Sequence, residues 1–316
     1  MEEAIKTFLR HLPRSFSYPY LGEYQDLYSL VEKMFKTRLE DVIKQAPQNI
    51  IFPLLEKLST DPIEDVRKAV AKSLANFPTE TALSLLKKLS RDREWEIRLA
   101  VARSLAGFPH EIALPLLEKL STDRDSYVRC TAVEILTSFP PKKVLPILRK
   151  LSANPKDYIR QDVTKALRSF PPKTALSLLK KLSTDPSNDV REAVANSLAS
   201  FPTEKALPIL EKLSTDRDSS VREAVAKSLA SFPPEKALPL LEKLSTDRDS
   251  DVRFAVAKSL ASFLLEKALP LLEKLSTDRD SGVRESIASS LTKFPPEITL
   301  PLLEKLSTDR RWQVRC

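Results

Sequence analysis

The sequence predicts an all-α fold, an α-solenoid or superhelix of stacked two-helix repeats with a helical cap at the N-terminus. Three observations predict it. A segment beginning at Pro239 returns thirty-one residues later at Pro270, and stepping back by the same interval lands on Pro208, Ser177, Pro146, Pro115, Ser84 and Pro53. A fixed period of this size marks a solenoid built from one supersecondary unit. Within each unit the apolar residues fall at helical spacing. Only three glycines occur in 316 residues, and leucine, alanine, lysine and glutamate dominate, as suits an all-helical chain.

Residues 1–50 stand outside the period and form the first of two parts. Phe8, Phe16, Tyr18, Tyr20, Tyr24, Tyr28 and Phe35 give them an aromatic density that the rest of the chain lacks. The spacing predicts helices over about 2–12, 23–36 and 38–45, with an irregular Pro13–Gly22 stretch. Such a segment is expected to cap the open end of the first repeat, which solenoids need for solubility. The alternative is a docking module that presents Tyr18-Pro19-Tyr20. The N-terminal residues carry no apolar signal region, and no run of about 18 apolar residues offers a membrane span.

The second part, residues 51–316, is the repeat array. In the clearest copy, Leu238, Leu240, Leu241 and Leu244 define a first helix, and Val252, Ala255, Val256, Ser259 and Leu260 a second. Ser245-Thr246-Asp247-Arg248-Asp249-Ser250 joins them, with short polar side chains suited to capping the second helix. Phe-Pro pairs (Phe77-Pro78, Phe108-Pro109, Phe232-Pro233) stop that helix, because the residue before proline is pushed out of the helical region. Glu80, Glu204 and Glu235 then occupy the first turn of the next helix, where the dipole favours negative charge. One hairpin cannot bury its own apolar stripe, so neighbours must stack. Eight complete units run from Pro53 to Leu300, followed by the first helix and turn of a ninth. The sequence ends at Arg315-Cys316 within that ninth unit, either closed by its first helix or as a piece of a longer protein.

The recurring residues carry a resemblance. A proline in the first helix, an aspartate eight residues on and a Val-Arg pair beyond it together resemble a HEAT repeat, in its short bacterial form that also occurs in phycobilin lyases. The motif reads Asp61…Val66-Arg67, Asp92…Ile97-Arg98, Asp123…Val128-Arg129, Asp185…Val190-Arg191, Asp216…Val221-Arg222, Asp247…Val252-Arg253, Asp278…Val283-Arg284 and Asp309…Val314-Arg315. Unit four departs with Asn154, and Ser84 and Ser177 replace the proline. The resemblance implies a stack whose second helices line a concave side and whose job is to bind macromolecules. The Asp and Arg columns are expected to pair with each other within or between units.

Net charge is +8, and residues 84–207 hold all of it, with 22 basic and 14 acidic groups. Lys142, Lys143, Arg149 and Lys150 are candidate phosphate contacts in the densest stretch. On the second helices of units two to four, Trp95, Tyr127 and Tyr158 replace the usual Ser or Asp, and Arg168 replaces an Ala. With Leu99, Arg103 and Lys165 they form the candidate partner-binding surface, since aromatics interleaved with basic groups suit stacking and ionic contact.

Catalysis has little to stand on. His11 and His110 are the only histidines, and His110 is placed to cap a helix start. No metal-ligand spacing, glycine-rich phosphate loop or nucleophile–base pair is present. Cys130 and Cys316 are too few for a disulfide framework, which favours a reducing, cytoplasmic setting. The expected function is therefore a non-enzymatic scaffold that binds a protein partner through its concave face, without cofactor, membrane or small-molecule substrate. The alternatives are nucleic-acid binding through the basic repeats, or activity like that of the DNA alkylation repeat glycosylases, for which Asp157 and Asp162 near Tyr158 are the candidate acids. Phycobilin lyase activity has no support beyond the repeat.

Overall fold

A computed structural model describes residues 48–77, 80–292 and 294–315. Among these residues all regular structure is helical, and eighteen α-helices alternate as first and second arms of nine hairpins. They are α1 and α2 (Gln48–Leu58, Glu64–Ser73), α3 and α4 (Glu80–Leu89, Trp95–Ser104), and α5 and α6 (His110–Leu120, Ser126–Leu136). Next come α7 and α8 (Pro141–Leu151, Asp157–Leu167), α9 and α10 (Pro172–Leu182, Asn188–Leu198), and α11 and α12 (Thr203–Leu213, Ser219–Leu229). The last three hairpins are α13 and α14 (Pro234–Leu244, Ser250–Leu260), α15 and α16 (Leu265–Leu275, Ser281–Leu291), and α17 and α18 (Pro296–Ser307, Trp312–Arg315). The aromatic N-terminal segment lies outside the described residues, as does Cys316.

Each first arm buries one stripe, exemplified by Ala237, Leu240, Leu241 and Leu244 of α13. Each second arm is buried almost all round, as Val252, Ala255, Val256, Ala257 and Leu260 of α14 show. The phenylalanines that end the second arms, Phe108, Phe139, Phe170, Phe201, Phe232 and Phe263, are buried between hairpins. A Leu, Val or Phe side chain contributes roughly 1.5–3 kcal/mol when fully buried, so the continuous core along the stack is the main source of stability. The proline after the phenylalanine takes the N-cap position of the next arm, as Pro109, Pro140, Pro171, Pro202, Pro233 and Pro295 do. Capping of the second arms is narrower than expected. Asp125, Asp218, Asp249 and Asp280 accept from helix N–H groups, whereas Ile63, Glu94, Lys156 and Ser187 make no side-chain cap bond.

The Asp and Arg columns pair within and between hairpins at once. Arg67 donates through Nε and Nη2 to the Asp92 carboxylate of the next hairpin at 2.8 and 3.1 Å, and through Nη1 to the Asp61 and Pro62 carbonyls of its own turn. Asp92 Oδ1 also accepts from the Glu94 N–H. The carboxylate pairing recurs as Arg98–Asp123, Arg160–Asp185, Arg191–Asp216, Arg222–Asp247, Arg253–Asp278 and Arg284–Asp309, all within 2.8 Å. The arginines from Arg67 to Arg253 are buried and their aspartates half-buried, so each charge depends on its partner. Burial pushes the carboxyls of Asp92, Asp123, Asp216, Asp247 and Asp278 up, but the arginine and the turn N–H outweigh it and hold them below the usual range. The bond from Arg284 holds Asp309 down to about 2. The arginine columns are thus committed to the fold.

Successive second arms pack against each other along much of their length, whereas successive first arms touch only lightly. The second arms therefore occupy the inner radius of the curved stack, and the first arms form its outer layer.

Candidate functional site: the inner wall of hairpins two to four

On a buried second arm only two positions of the helix body stay open. In α12 these are Glu223 and Lys227, four residues apart and paired at 2.6 Å. They are the first and fifth residues after the repeat arginine, and they line the inner wall. The same helical spacing places Trp95, Leu99 and Arg103 on one face of α4. It places Tyr127, Cys130 and Glu134 on one face of α6, and Tyr158, Gln161 and Lys165 on one face of α8, with Arg168 at that helix's C-cap. Three stripes on adjacent helices thus bring all seven expected partner-binding residues to one side of the stack.

The aromatics are organised. Trp95 and Tyr127 stack across the α4–α6 joint with centroids 5.4 Å apart, which leaves Tyr127 67% exposed. Tyr158, 37% exposed, lies under the Arg129 guanidinium at 4.4 Å, with Lys156 Nζ at 5.6 Å. Further along, Glu192 is held above the usual carboxylate range by partial burial and by Asp189 and Glu223 nearby. The aromatic and basic stripes thus give way at hairpin five to Glu192 and Asn196.

The joint between hairpins three and four holds the arrangement that sequence reasoning missed. Asn154 keeps the turn bond, accepting from the Lys156 N–H at 3.0 Å, but it lacks the charge that Arg129 needs. Asp162 supplies it instead: Arg129 Nε donates to Oδ2 at 2.8 Å, and Nη1 keeps its own-turn carbonyls of Asp123 and Arg124. Cys130 Sγ lies 3.5 Å from the other oxygen, and burial together with the Asp162 charge pushes the thiol up. The signal was in the columns. Asp162 stands where the other units carry Ala69, Ala100, Thr131, Ala193, Ala224, Ala255 and Ser286. It is one of the two candidate acids, and it is buried in an ion pair. The other, Asp157, is exposed at the start of α8, where it accepts from the Tyr158 N–H.

Lys142, Lys143, Arg149 and Lys150 do not join this wall. All four lie on α7, in the outer layer, so the basic residues of unit four split between two opposite surfaces. His110 opens α5 without capping it; Pro109 holds the N-cap position, and His110 Nε2 lies 2.6 Å from the Glu111 carboxylate. Among the described residues no group of three or more His, Cys, Asp or Glu could hold a metal ion, and no helix is long and apolar enough to cross a membrane.

A stack of two-helix repeats with an inter-repeat Arg–Asp ladder defines an α-solenoid. The family description HEAT repeats matches seven overlapping stretches, residues 51–129, 84–168, 113–199, 151–230, 175–261, 208–292 and 239–316, and the chain belongs to that family. No curated protein matches the sequence. Among solved structures it is similar to the karyopherin Kap121p bound to the extreme C-terminus of the protein phosphatase Cdc14p, with 14% identity and a TM-score of 0.56, covering 94% of this chain and 39% of that one. Kap121p bound to Nup53p gives 14% identity and 0.55 over the same shares. Human deoxyhypusine hydroxylase in complex with glycerol gives 20% identity and 0.34, covering 79% of this chain and 96% of that one.

Proposed function

We propose that this HEAT-repeat solenoid is a non-enzymatic scaffold that seats a protein partner on the inner wall of hairpins two to four. The observation that carries this reading is the set of three adjacent stripes, in which exposed aromatics and Leu99 lie beside Arg103, Lys165 and Arg168. Large, stiff aromatic side chains and arginine are the groups that anchor protein interfaces at small cost in conformational freedom. Kap121p, which is alike in fold, is bound to the extreme C-terminus of Cdc14p in one structure and to Nup53p in another, and binding of a protein partner is carried over here as a proposal. Arg103, Lys165 and Arg168 around the aromatics would favour a partner segment that carries acidic groups beside its apolar ones.

The test is a photo-crosslinking residue placed at position 134 or 161 of the inner wall, with position 236 of the outer layer as control. A protein adduct from the inner positions, lost with Leu99→Ala, Tyr127→Ala and Tyr158→Ala in combination, is the expected result. An adduct that survives the triple substitution, or one that consists of nucleic acid, would contradict it.

A further inference from the structure

The outer layer carries a charge pattern that neither the ladder nor the inner wall uses. First arms have two acidic columns. The first-turn column reads Glu80, Glu111, Lys142, Lys173, Glu204, Glu235, Glu266 and Glu297. The last-turn column reads Glu56, Lys87, Glu118, Arg149, Lys180, Glu211, Glu242, Glu273 and Glu304. Both columns reverse sign in hairpins four and five, on the neighbouring helices α7 and α9. With Lys143, Lys150 and Lys181 they make seven cations, all exposed, and neither helix contains a carboxylate.

Helix stability explains only part of this. Arg149, Lys150, Lys180 and Lys181 fall in the last turn, where the negative end of the dipole favours cations. Lys142 and Lys173 stand in the first turn, where the dipole disfavours them and where six other first arms carry glutamate. Among the described residues only Lys150 of the seven has a carboxylate in ion-pair reach, Glu118 at 2.6 Å. The reversal also removes partners from the next hairpin. Lys150 reaches back thirty-two residues to Glu118, and the residues at that offset from Lys181 and Lys212 are Arg149 and Lys180. A mutually repelling cluster of seven cations with one carboxylate in ion-pair reach is a surface suited to an external anion.

We propose that the outer face formed by α7 and α9 binds the phosphate backbone of a duplex nucleic acid, by charge and without reading sequence. Six of the seven cations are lysines, which act as point charges and not as forks for a single carboxylate. Neither helix bears an exposed large apolar side chain, so the face offers no base-stacking platform and no anchor for a bilayer. Of the available polyanions the duplex has the densest charge, about one per 1.7 Å, and gains most from counterion release; an extended acidic peptide carries at most about one per 3.3 Å. The proposal rests on the outer layer alone and stands or falls apart from the inner-wall reading.

The experiment uses the full chain and a fluorescein-labelled DNA duplex of mixed sequence, read by anisotropy. Binding is expected at about 50 mM salt and is expected to weaken at least about tenfold by about 200 mM. The variant Lys142→Glu, Arg149→Glu, Lys173→Glu, Lys180→Glu restores the repeat's own residues, so it is expected to keep the helical circular dichroism and melting of the parent while losing at least tenfold in affinity. A second variant with glutamine at the same four positions is expected to lose less and to lower the slope of log affinity against log salt by about one per phosphate contact removed. Lys165→Ala with Arg168→Ala on the inner wall is expected to leave duplex binding unchanged. Absence of duplex binding at the lower salt, or binding retained in the glutamate variant, overturns the proposal. So does association with phosphatidylserine vesicles or polyglutamate in place of the duplex.

Discussion

Between Arg191 and Arg284 each ladder guanidinium grips the carboxylate of the next hairpin with two nitrogens, and Ser197, Ser228 and Ser259 donate back to the carbonyls of Thr164, Ala195 and Ala226 in the preceding hairpin. At the joint between hairpins three and four, Arg129 reaches a single oxygen of a residue eight positions beyond the usual one, and Ile135 and Ala166 occupy the serine column. The outer layer follows the same division. Glu-Lys pairs recur in α11, α13 and α15, while α7 and α9 carry cations alone. Inside, the drifted hairpins stack Trp95 on Tyr127 and set Tyr158 beneath Arg129. The near-identical hairpins keep the repeat's own pattern, and the drifted ones depart from it on both surfaces.

The sharpest way to break this comparison is to cut the ladder in each region. Asp216→Ala strands the buried Arg191 and is expected to cost about 3–5 kcal/mol, measured by urea unfolding. Asp162→Ala is expected to cost less, about 1.5–3 kcal/mol, because Arg129 spends only one nitrogen on that carboxylate, where Arg191 spends two on Asp216, and keeps the Tyr158 face. Equal losses would deny the distinction between the two regions.

Acid should loosen the ladder. The carboxyls of Asp92, Asp123, Asp216, Asp247, Asp278 and Asp309 titrate lower in the folded stack than in the unfolded chain, so the unfolded chain binds protons first as pH falls. Their contribution is fully present above the usual aspartate value of 3.8 and is lost as pH descends through the folded values, with Asp309 last at about 2. Circular dichroism during acid titration should show stability level above that range and falling within it. A fall already complete near neutrality would contradict the assignment.

A smaller effect belongs to the aromatic stack. Tyr127→Ala is expected to cost about 0.5–1.5 kcal/mol and to shift Trp95 fluorescence to the red, read in a Trp312→Phe background. The smallest is a gain: Lys142→Glu or Lys173→Glu should each add about 0.3–1 kcal/mol to thermal stability. A loss there would mean that these lysines hold the fold.

Much of the architecture was legible because it is written in columns. The thirty-one-residue register placed the first and second arms, and the paired recurrence of Asp and Arg marked them as each other's partners. The direction of the pairing was not legible, since a single column cannot say whether Asp92 meets Arg98 of its own hairpin or Arg67 of the one before. Only stacking geometry decides that. The inner-wall residues followed from helical spacing once the second arms were known to lie inside. Lys150 and Lys165 looked like one patch because they are close in sequence, but they sit on opposite arms of a hairpin and face opposite ways. The place of Asp162 in the ladder was missed because its position was weighed without Asn154, its counterpart in the same unit.

The account depends most on the ladder being what registers one hairpin on the next, with Asp162 standing in for the missing turn aspartate. A double-mutant cycle of Asn154→Asp and Asp162→Ala, followed by urea unfolding, tests this directly. Asn154→Asp should recover most of the stability that Asp162→Ala removes, with a coupling of about 1–3 kcal/mol. Strictly additive effects, or no loss from Asp162→Ala in the first place, would show that the joint is held by something else.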